Sequence, residues 1–527
     1  MADSLTAVDD VIQQHLSELA LPGVLSVRAG YKFAGGWPVD PPTPAIVVTV
    51  AAKTSSPPGG GLLPTSVAGV PVDVRQASQR KHGQLATPDT AAPGLAPDTG
   101  GLPMFDDEVV VGDTSRPAST AHAKPPKPQL PYTSADAALE PVTAQLTVQA
   151  CASPDAGWPV LKAFLASITD TVTIGLYDWT SAHVLDWFTQ QLAGKTVSLV
   201  LDHPAKNPTA DQTDEQTVHT LTSTLQGGLT QAWALERSDP LAAAWLFPSA
   251  YHIKVAVADH QRVWLSSGNW NNSNQPDIDP VMNTADGPAA RDGDRDWHVV
   301  IDSATLATVF ETYLTNDLTT AQQHQAQPAP APAARAWEGP AARVVLPNAR
   351  TPHFDQFRGP IRVTDTMTIT PVLTPDVGSY APQVRALIAS ATTTLDMQFQ
   401  YIELPKDPAT QSAAFTDLIA AVVDRQQHGV VVRIIMSEFE VQGYLEKLIS
   451  AGLDVATSVR IQNNVHNKGV LVDSARVLVS SQNWSNAGVT QNRDAGVIID
   501  NPAIARYFQT IFDHDWNVLA NATPAED

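Results

Sequence analysis

Cysteine is almost missing from this chain. The one thiol, Cys151, has no partner for an intramolecular disulfide and cannot contribute to a thiolate metal cluster, so it reads as a small buried apolar residue. Basic residues are scarce too: 32 Lys plus Arg stand against 54 Asp plus Glu, a formal charge of −22. A field of that sign repels polyanions at long range, which disfavours nucleic acid or an anionic membrane as a partner unless a local basic cleft prevails. No apolar run approaches the roughly 20 residues needed to cross a bilayer. The N-terminal MADSLTAVDD has neither a basic region nor an apolar signal core. A cytoplasmic location is therefore the expectation, with export by an unconventional route left open. GxGxxG, Walker, HExxH and GxSxG patterns are absent, which removes dinucleotide, P-loop, zincin and α/β-hydrolase readings.

What is present suffices for a large globular α/β protein. At 527 residues and 43% hydrophobic content the chain corresponds to roughly three domains. Residues 1–80 read as a small N-terminal α/β module: LTAVDDVIQQHLSEL has helical apolar spacing, and PAIVVTVAAK and VAGVPVDVRQ read as short strands. Residues 81–140 carry nine prolines amid small polar residues and read as a linker. The Pro/Ala-rich segment within 326–360 reads as a second linker. It separates two domain-sized stretches, 141–325 and 361–527, in which strand patterns alternate with helical ones.

Those two stretches repeat one arrangement. His252 and Lys254 lie in HIKVAVAD, with Asp259 and later Asn269; His466 and Lys468 lie in HNKGVLVD, with Asp473 and Asn483, at identical internal spacing. Residues two apart in a strand share a face, so imidazole and ammonium project together. Each copy then runs through an Arg-Asp pair, Arg295-Asp296 or Arg493-Asp494, into a helical pattern. A phosphodiester is anionic and a poor electrophile. Its cleavage is helped by a nucleophile, cations on the non-bridging oxygens and an acid for the leaving alcohol. Two histidines, Lys254, Lys468, Asn269 and Asn483 supply all three without a metal or other cofactor.

The doubled HxKxxxxD, each followed by a Ser-Ser-x-Asn element, resembles the phospholipase D superfamily over roughly residues 145–520. Ser266 and Ser480 stand where that family usually has glycine. The resemblance implies two similar sandwich lobes, each a mixed sheet flanked by helices, related by a pseudo-twofold axis with one site between them. It implies metal-independent phosphodiester chemistry through a phosphohistidine, with water or an alcohol as acceptor. It also implies a carboxylate behind each imidazole, assigned from the repeat pattern as Asp296 for His252 and Asp494 for His466. His252 is the favoured nucleophile by the same analogy. Asp259 and Asp473 sit an odd number of residues from the histidines and are expected to brace the strands, as are Ser267 and Ser481 to support the motif.

Tyr177, Asp178 and Tyr401 end strands, and Trp270 and Trp484 follow the asparagines; all five are candidates for substrate contact. His203, His219, His298 and His353 lack such partners and read as structural. The first copy carries 16 extra residues between Asn269 and Asp296. Their acids, Asp277, Asp279, Asp286, Asp292 and Asp294, would repel a bulky polyanion if they face the site. Phospholipid is therefore the favoured substrate, with transient contact at a membrane surface. A nuclease of the same superfamily is the first alternative, and a non-catalytic scaffold on the same fold the second. Both halves lie on one chain, so a monomer is expected.

Overall fold

The strands supplied by the apolar runs of the two repeats hydrogen-bond into one 14-stranded mixed sheet. In the computed structural model the described residues are 2–19, 21, 23–50, 63–76, 109–110, 132–202, 211–236, 244–247, 249–325, 356–376, 379–405, 410–437 and 441–520. The first repeat contributes β1 (Val142–Ser153), β2 (Thr171–Leu176), β3 (Thr196–Leu201), β4 (Leu229–Trp233), β5 (Lys254–Ala258), β6 (Arg262–Ser266) and β7 (Asp296–Asp302). The second contributes β8 (Ile361–Thr374), β9 (Thr394–Phe399), β10 (Val431–Met436), β11 (Val459–Ile461), β12 (Lys468–Val472), β13 (Arg476–Ser480) and β14 (Asp494–Asp500). Across the sheet the order is β4-β3-β2-β5-β6-β7-β1-β8-β14-β13-β12-β9-β10-β11. Read inward from either edge, each strand of the second half stands where the strand numbered seven lower stands in the first.

One sheet per repeat was expected; instead the two join at a seam. β1 and β8 pair antiparallel from Ile361↔Ala150 to Ile369↔Val142. Pairing satisfies two long edges that would otherwise present open backbone groups. Hydroxyls of Thr143 and Thr368, and of Thr147 and Thr364, meet at 2.8 Å along it. The halves also touch elsewhere, β7 with β12 and β13, and β14 with β5 and β6.

Between them lies a shared core containing the helices Ala304–Gln325 and Pro502–His514. The second helix shows why the sequence folds there. Asn501 accepts from the N–H groups of Ala503 and Ile504, proline opens the first turn, and Ile504, Phe508, Ile511 and Phe512 form one buried stripe. Phe508 stacks on Trp297 with ring centroids 4.7 Å apart. Trp297 also crosses to β12, where a Cβ on Gly469 would collide with its ring. The first repeat reverses these sizes, with Val255 where the second has Gly469 and Ala495 where the first has Trp297.

Two buried arginines tie the halves together. Arg295 pairs with Asp155 at 2.6 Å in its own repeat and with Asp515 at 2.8 Å in the other. Arg493 pairs correspondingly with Asp376 and, at 2.8 Å, with Asp317. Buried charge is tolerated because each guanidinium meets two carboxylates.

The N-terminal module forms a five-stranded sheet in the order Ser66–Val67, Val70–Gln76, Pro44–Val50, Val24–Tyr31, Val109–Val110. The helix Ala2–Leu19 covers one face through Val8 and Ile12. Val109 and Val110 correct the linker reading, since this β-branched pair adds a short strand opposite Val27 and Ser26. Residues 132–140, also assigned to that linker, place Tyr132, Ala135, Ala137 and Leu139 against the shared core. The rest of 77–131, most of the second linker, His203 and His353 lie outside the described residues.

Candidate active site

β5 and β12 begin at the two lysines, with the histidines two residues ahead. Each strand turns back through a hairpin whose first turn residues have left-handed backbone: Asp259 and His260 (φ 52° and 56°), Asp473 and Ser474 (φ 52° and 51°). Aspartate tolerates this conformation better than most residues. Its carboxylate is also used. Asp259 accepts backbone N–H bonds from Thr169 at 2.9 Å, Asp170 at 2.8 Å and Thr171 at 3.1 Å. Asp473 does the same for Thr392, Thr393 and Thr394. Burial opposes ionisation of both, but these donors hold both carboxyls below the usual range. Both lie at the hairpin end of the strand, away from the histidines. Neither Ser266 nor Ser480 has positive φ, so serine fits these two positions without strain.

The histidines meet carboxylates of the opposite repeat. His252 Nδ1 is 2.9 Å from Asp494 Oδ1, and His466 Nδ1 is 3.0 Å from Asp296 Oδ1. The within-repeat assignment is thus exchanged. The reason lies in the backbone: Arg295, beside Asp296, donates its N–H to Asn464 O at 2.7 Å and accepts from His466 N at 3.1 Å. Arg493, beside Asp494, likewise donates to Ala250 O at 2.9 Å. Ser267 Oγ donates to Asp296 at 2.7 Å and Ser481 Oγ to Asp494 at 2.6 Å. Each serine orients the carboxylate of its own repeat, which then holds the imidazole of the other.

With Nδ1 so engaged, Nε2 is the ring atom left for chemistry. Lys468 Nζ donates to His466 Nε2 at 3.1 Å and to His466 O; Lys254 Nζ donates to His252 O at 2.6 Å. Burial, then the charges of Lys254, Lys468 and His466, push the His252 imidazole well below its usual value. Burial and Lys468 bring His466 down to about 4. These mutual effects place both imidazoles and both ammonium groups in one electrostatic neighbourhood.

The carboxylates differ. Burial pushes Asp494 up to about 7 against the pull of Lys254, whereas for Asp296 burial is outweighed by His466 and Lys468 and the group stays ionised. Asn269 and Asn483 each bury an amide oxygen that has no hydrogen-bond partner among the described residues.

The remaining candidates divide. The Tyr177 ring lies 5.0 Å from the His252 ring, with Lys254 Nζ 5.2 Å from its centroid. Asp178 accepts from Asn271 at 3.2 Å. Tyr401 is half-buried and stacks near Tyr444 at 6.1 Å. Trp270 and Trp484 are fully buried. Trp270 packs on Trp179 and Trp264, and Trp484 on Phe399 while donating to Tyr380, so both belong to cores and not to a cleft wall. Burial of that much aromatic surface outweighs exposure at a turn.

In the insertion, Asp277 accepts from Trp158 Nε1 at 2.9 Å, and Asp286 accepts from Asp279 N at 2.8 Å. Asp294 accepts from Asn274 at 3.1 Å. These acids staple the loop.

Two contributors escaped the sequence reading. Asn274 accepts from Asn269 N at 2.9 Å and donates to Asp296 Oδ2 at 2.9 Å; it lies in the insertion, and in the second repeat Asn492 hydrogen-bonds Asp494 from a different position in the motif. Asp202, at the end of β3, accepts from Tyr251 N at 2.6 Å and fixes the approach to His252. Among the described residues, no group of three or more His, Cys, Asp or Glu side chains is arranged to hold a metal ion, and no helix is long and apolar enough to cross a membrane.

Residues 384–516 match the family described as cardiolipin synthase, PLD-like domain. Over 135 residues the chain is 27% identical to the mitochondrial cardiolipin hydrolase of Chlamydomonas reinhardtii, covering 25% of this chain and 55% of that protein. The chain thus spans about half the length of that relative. Among solved structures, phosphatidylserine synthase of Haemophilus influenzae is 14% identical, with 72% of this chain and 89% of that one covered and a TM-score of 0.45. The phospholipase D family member Nuc from Salmonella typhimurium is 26% identical, with 30% and 98% covered and a TM-score of 0.25.

Proposed function

We propose that this chain, which belongs to the phospholipase D superfamily, is a metal-independent phosphodiesterase whose single site is completed by both repeats and whose substrate is a phospholipid. The observation that carries this reading is the crossed pairing of His252 with Asp494 and His466 with Asp296. Neither half supplies an oriented imidazole alone. The mirrored strand order supports a pseudo-twofold relation of the halves, and both lobes on one chain support a monomer.

The asymmetry of the carboxylates supports the division of labour. His466, hydrogen-bonded to the ionised Asp296, is the acid, and His252 is the nucleophile. His252 Nε2 donates its lone pair to phosphorus, and the bond to the leaving oxygen breaks as that oxygen takes the His466 proton. Lys254, Lys468, Asn269 and Asn483 hold the phosphoryl oxygens as charge builds on five-coordinate phosphorus. Water or an alcohol then gives a proton to His466 and attacks phosphorus, breaking the N–P bond. Lys468 donates to His466 Nε2. A bound phosphate anion would draw that ammonium to itself and add negative charge beside the ring, both of which raise the His466 pKa.

The net charge of −22 favours a phospholipid over nucleic acid. The test is a panel of phosphatidylcholine, cardiolipin and single-stranded DNA, assayed with excess EDTA. Lipid cleavage that survives EDTA and falls at least about 10²-fold in His252→Ala and in His466→Ala is expected. Cleavage of DNA alone would replace the substrate assignment, and lipid turnover indifferent to both substitutions would remove the mechanism.

A further inference from the structure

The N-terminal module has no place in the chemistry above, yet buried charge joins it to the second repeat. One face of its sheet is covered by the helix Ala2–Leu19. From the other, Arg28 and Arg75 reach Glu446 in the helix Val441–Ser450. Arg28 Nη1 donates to Glu446 Oε2 at 2.6 Å and Arg75 Nη2 to Glu446 Oε1 at 2.8 Å, all three side chains being 4–5% exposed. Tyr31 N donates to the same carboxylate at 3.3 Å. Gly30 makes this approach feasible, because a Cβ there would lie 2.8 Å from Glu446 Oε1. Two desolvated guanidiniums sharing one carboxylate are a contact that costs heavily to open.

The same helix also holds a segment that starts next to the site. Lys447 Nζ donates to Leu404 O at 2.8 Å, and Tyr444 faces Tyr401 at 6.1 Å. Segment 401–405 leaves the end of β9, where Phe399 pairs with Lys468 and Gln400 N donates to Asn467 O at 3.0 Å. Its first residues therefore lie beside the His466 half of the site.

Resting on the phosphodiesterase reading, we propose that the N-terminal module is a positioning device. By holding Glu446 it fixes the helix Val441–Ser450, and through Lys447 and Tyr444 it sets segment 401–405 against the bound substrate. Glu446 is thus a positioning residue for substrate affinity, remote from the reacting atoms.

Two full-chain variants test this. Glu446→Gln removes the shared charge; Lys447→Met cuts only the lower link and leaves the buried cluster whole, so it carries the test if the first fails to fold. Hydrogen exchange, which needs no activity, is expected to quicken about tenfold or more at 401–405 in both variants. In Lys447→Met, exchange within residues 2–76 stays as in wild type. KM for the substrate found in the panel is expected to rise about five- to tenfold with kcat within about twofold, the mark of lost uniform binding. Unchanged exchange at 401–405 in the folded variants, or an unchanged KM, overturns the proposal. A wild-type chain inactive on every diester would remove the reading of the site, while exchange would still decide whether the module holds the segment.

Discussion

His252 and Asp494 stand 242 residues apart in the chain and share a hydrogen bond of 2.9 Å where the two repeats meet. The reciprocal pair, His466 and Asp296, makes the site a property of neither repeat alone. A histidine whose orienting carboxylate comes from the other half is held in register only when the halves are docked, which links folding of the shared core to the readiness of the site.

The crossed pairing makes a sharp kinetic prediction. Asp494→Asn keeps shape but spoils the support of the imidazole, with an expected loss in kcat of about 10²-fold or more. Added to His252→Ala, it should cost less than about threefold further; added to His466→Ala, it should cost nearly its full effect. The reverse pattern would mean that within-repeat pairing governs function.

Much of this was legible in the sequence, and the parts that were not have identifiable causes. The spacing of His252 with Lys254 and of His466 with Lys468 marked the two strands, because period two is intrinsic to an extended chain. Which carboxylate serves which histidine could not be read, since spacing along one repeat says nothing about a contact fixed by backbone bonds from Arg295 to Asn464 and His466 in the other. The odd offset of Asp259 placed it away from the histidines, but not at a left-handed turn gathering three N–H donors. Trp270 and Trp484 could be read either as substrate contacts or as packed aromatics, because following the site asparagine in sequence does not say where a ring goes; their neighbours Trp179 and Phe399 take them into the cores. The seam between β1 and β8 joins elements more than 200 residues apart, beyond any local pattern.

The size exchange at Trp297 and Gly469 predicts coupled stabilities. Gly469→Val overpacks against the indole, which the new Cβ would meet well inside van der Waals contact, and should destabilise by about 1–3 kcal/mol or more. Trp297→Ala alone should cost about 3–5 kcal/mol. Together they recreate the Val255 and Ala495 combination found at the equivalent positions of the two repeats. Urea midpoints should show the double variant more stable than the sum by about 0.5–3 kcal/mol; strict additivity would show that the two residues do not share this contact.

His298 predicts a pH dependence of stability. It is buried between Ser153, 2.8 Å from Nε2, and Ser266, 2.7 Å from Nδ1, and burial brings it down to about 4. Its folded-state pKa is depressed, so as pH falls the unfolded chain takes up the proton first. The neutral folded form therefore loses stability from about pH 6.5 down to about 4, with a slope approaching about 1.4 kcal/mol per pH unit from this group. Chemical denaturation across that window should show wild type losing stability more steeply than His298→Asn on lowering the pH. Parallel curves would assign the titration elsewhere.

The central claim is that His252, supported from the other repeat, attacks phosphorus. Rapid base quench of EDTA-treated enzyme during turnover, followed by peptide mass spectrometry at alkaline pH, tests it directly. The predicted result is a phosphoryl adduct on the peptide carrying His252, lost in His252→Ala. An adduct on His466 instead, or none while turnover proceeds, would contradict the account.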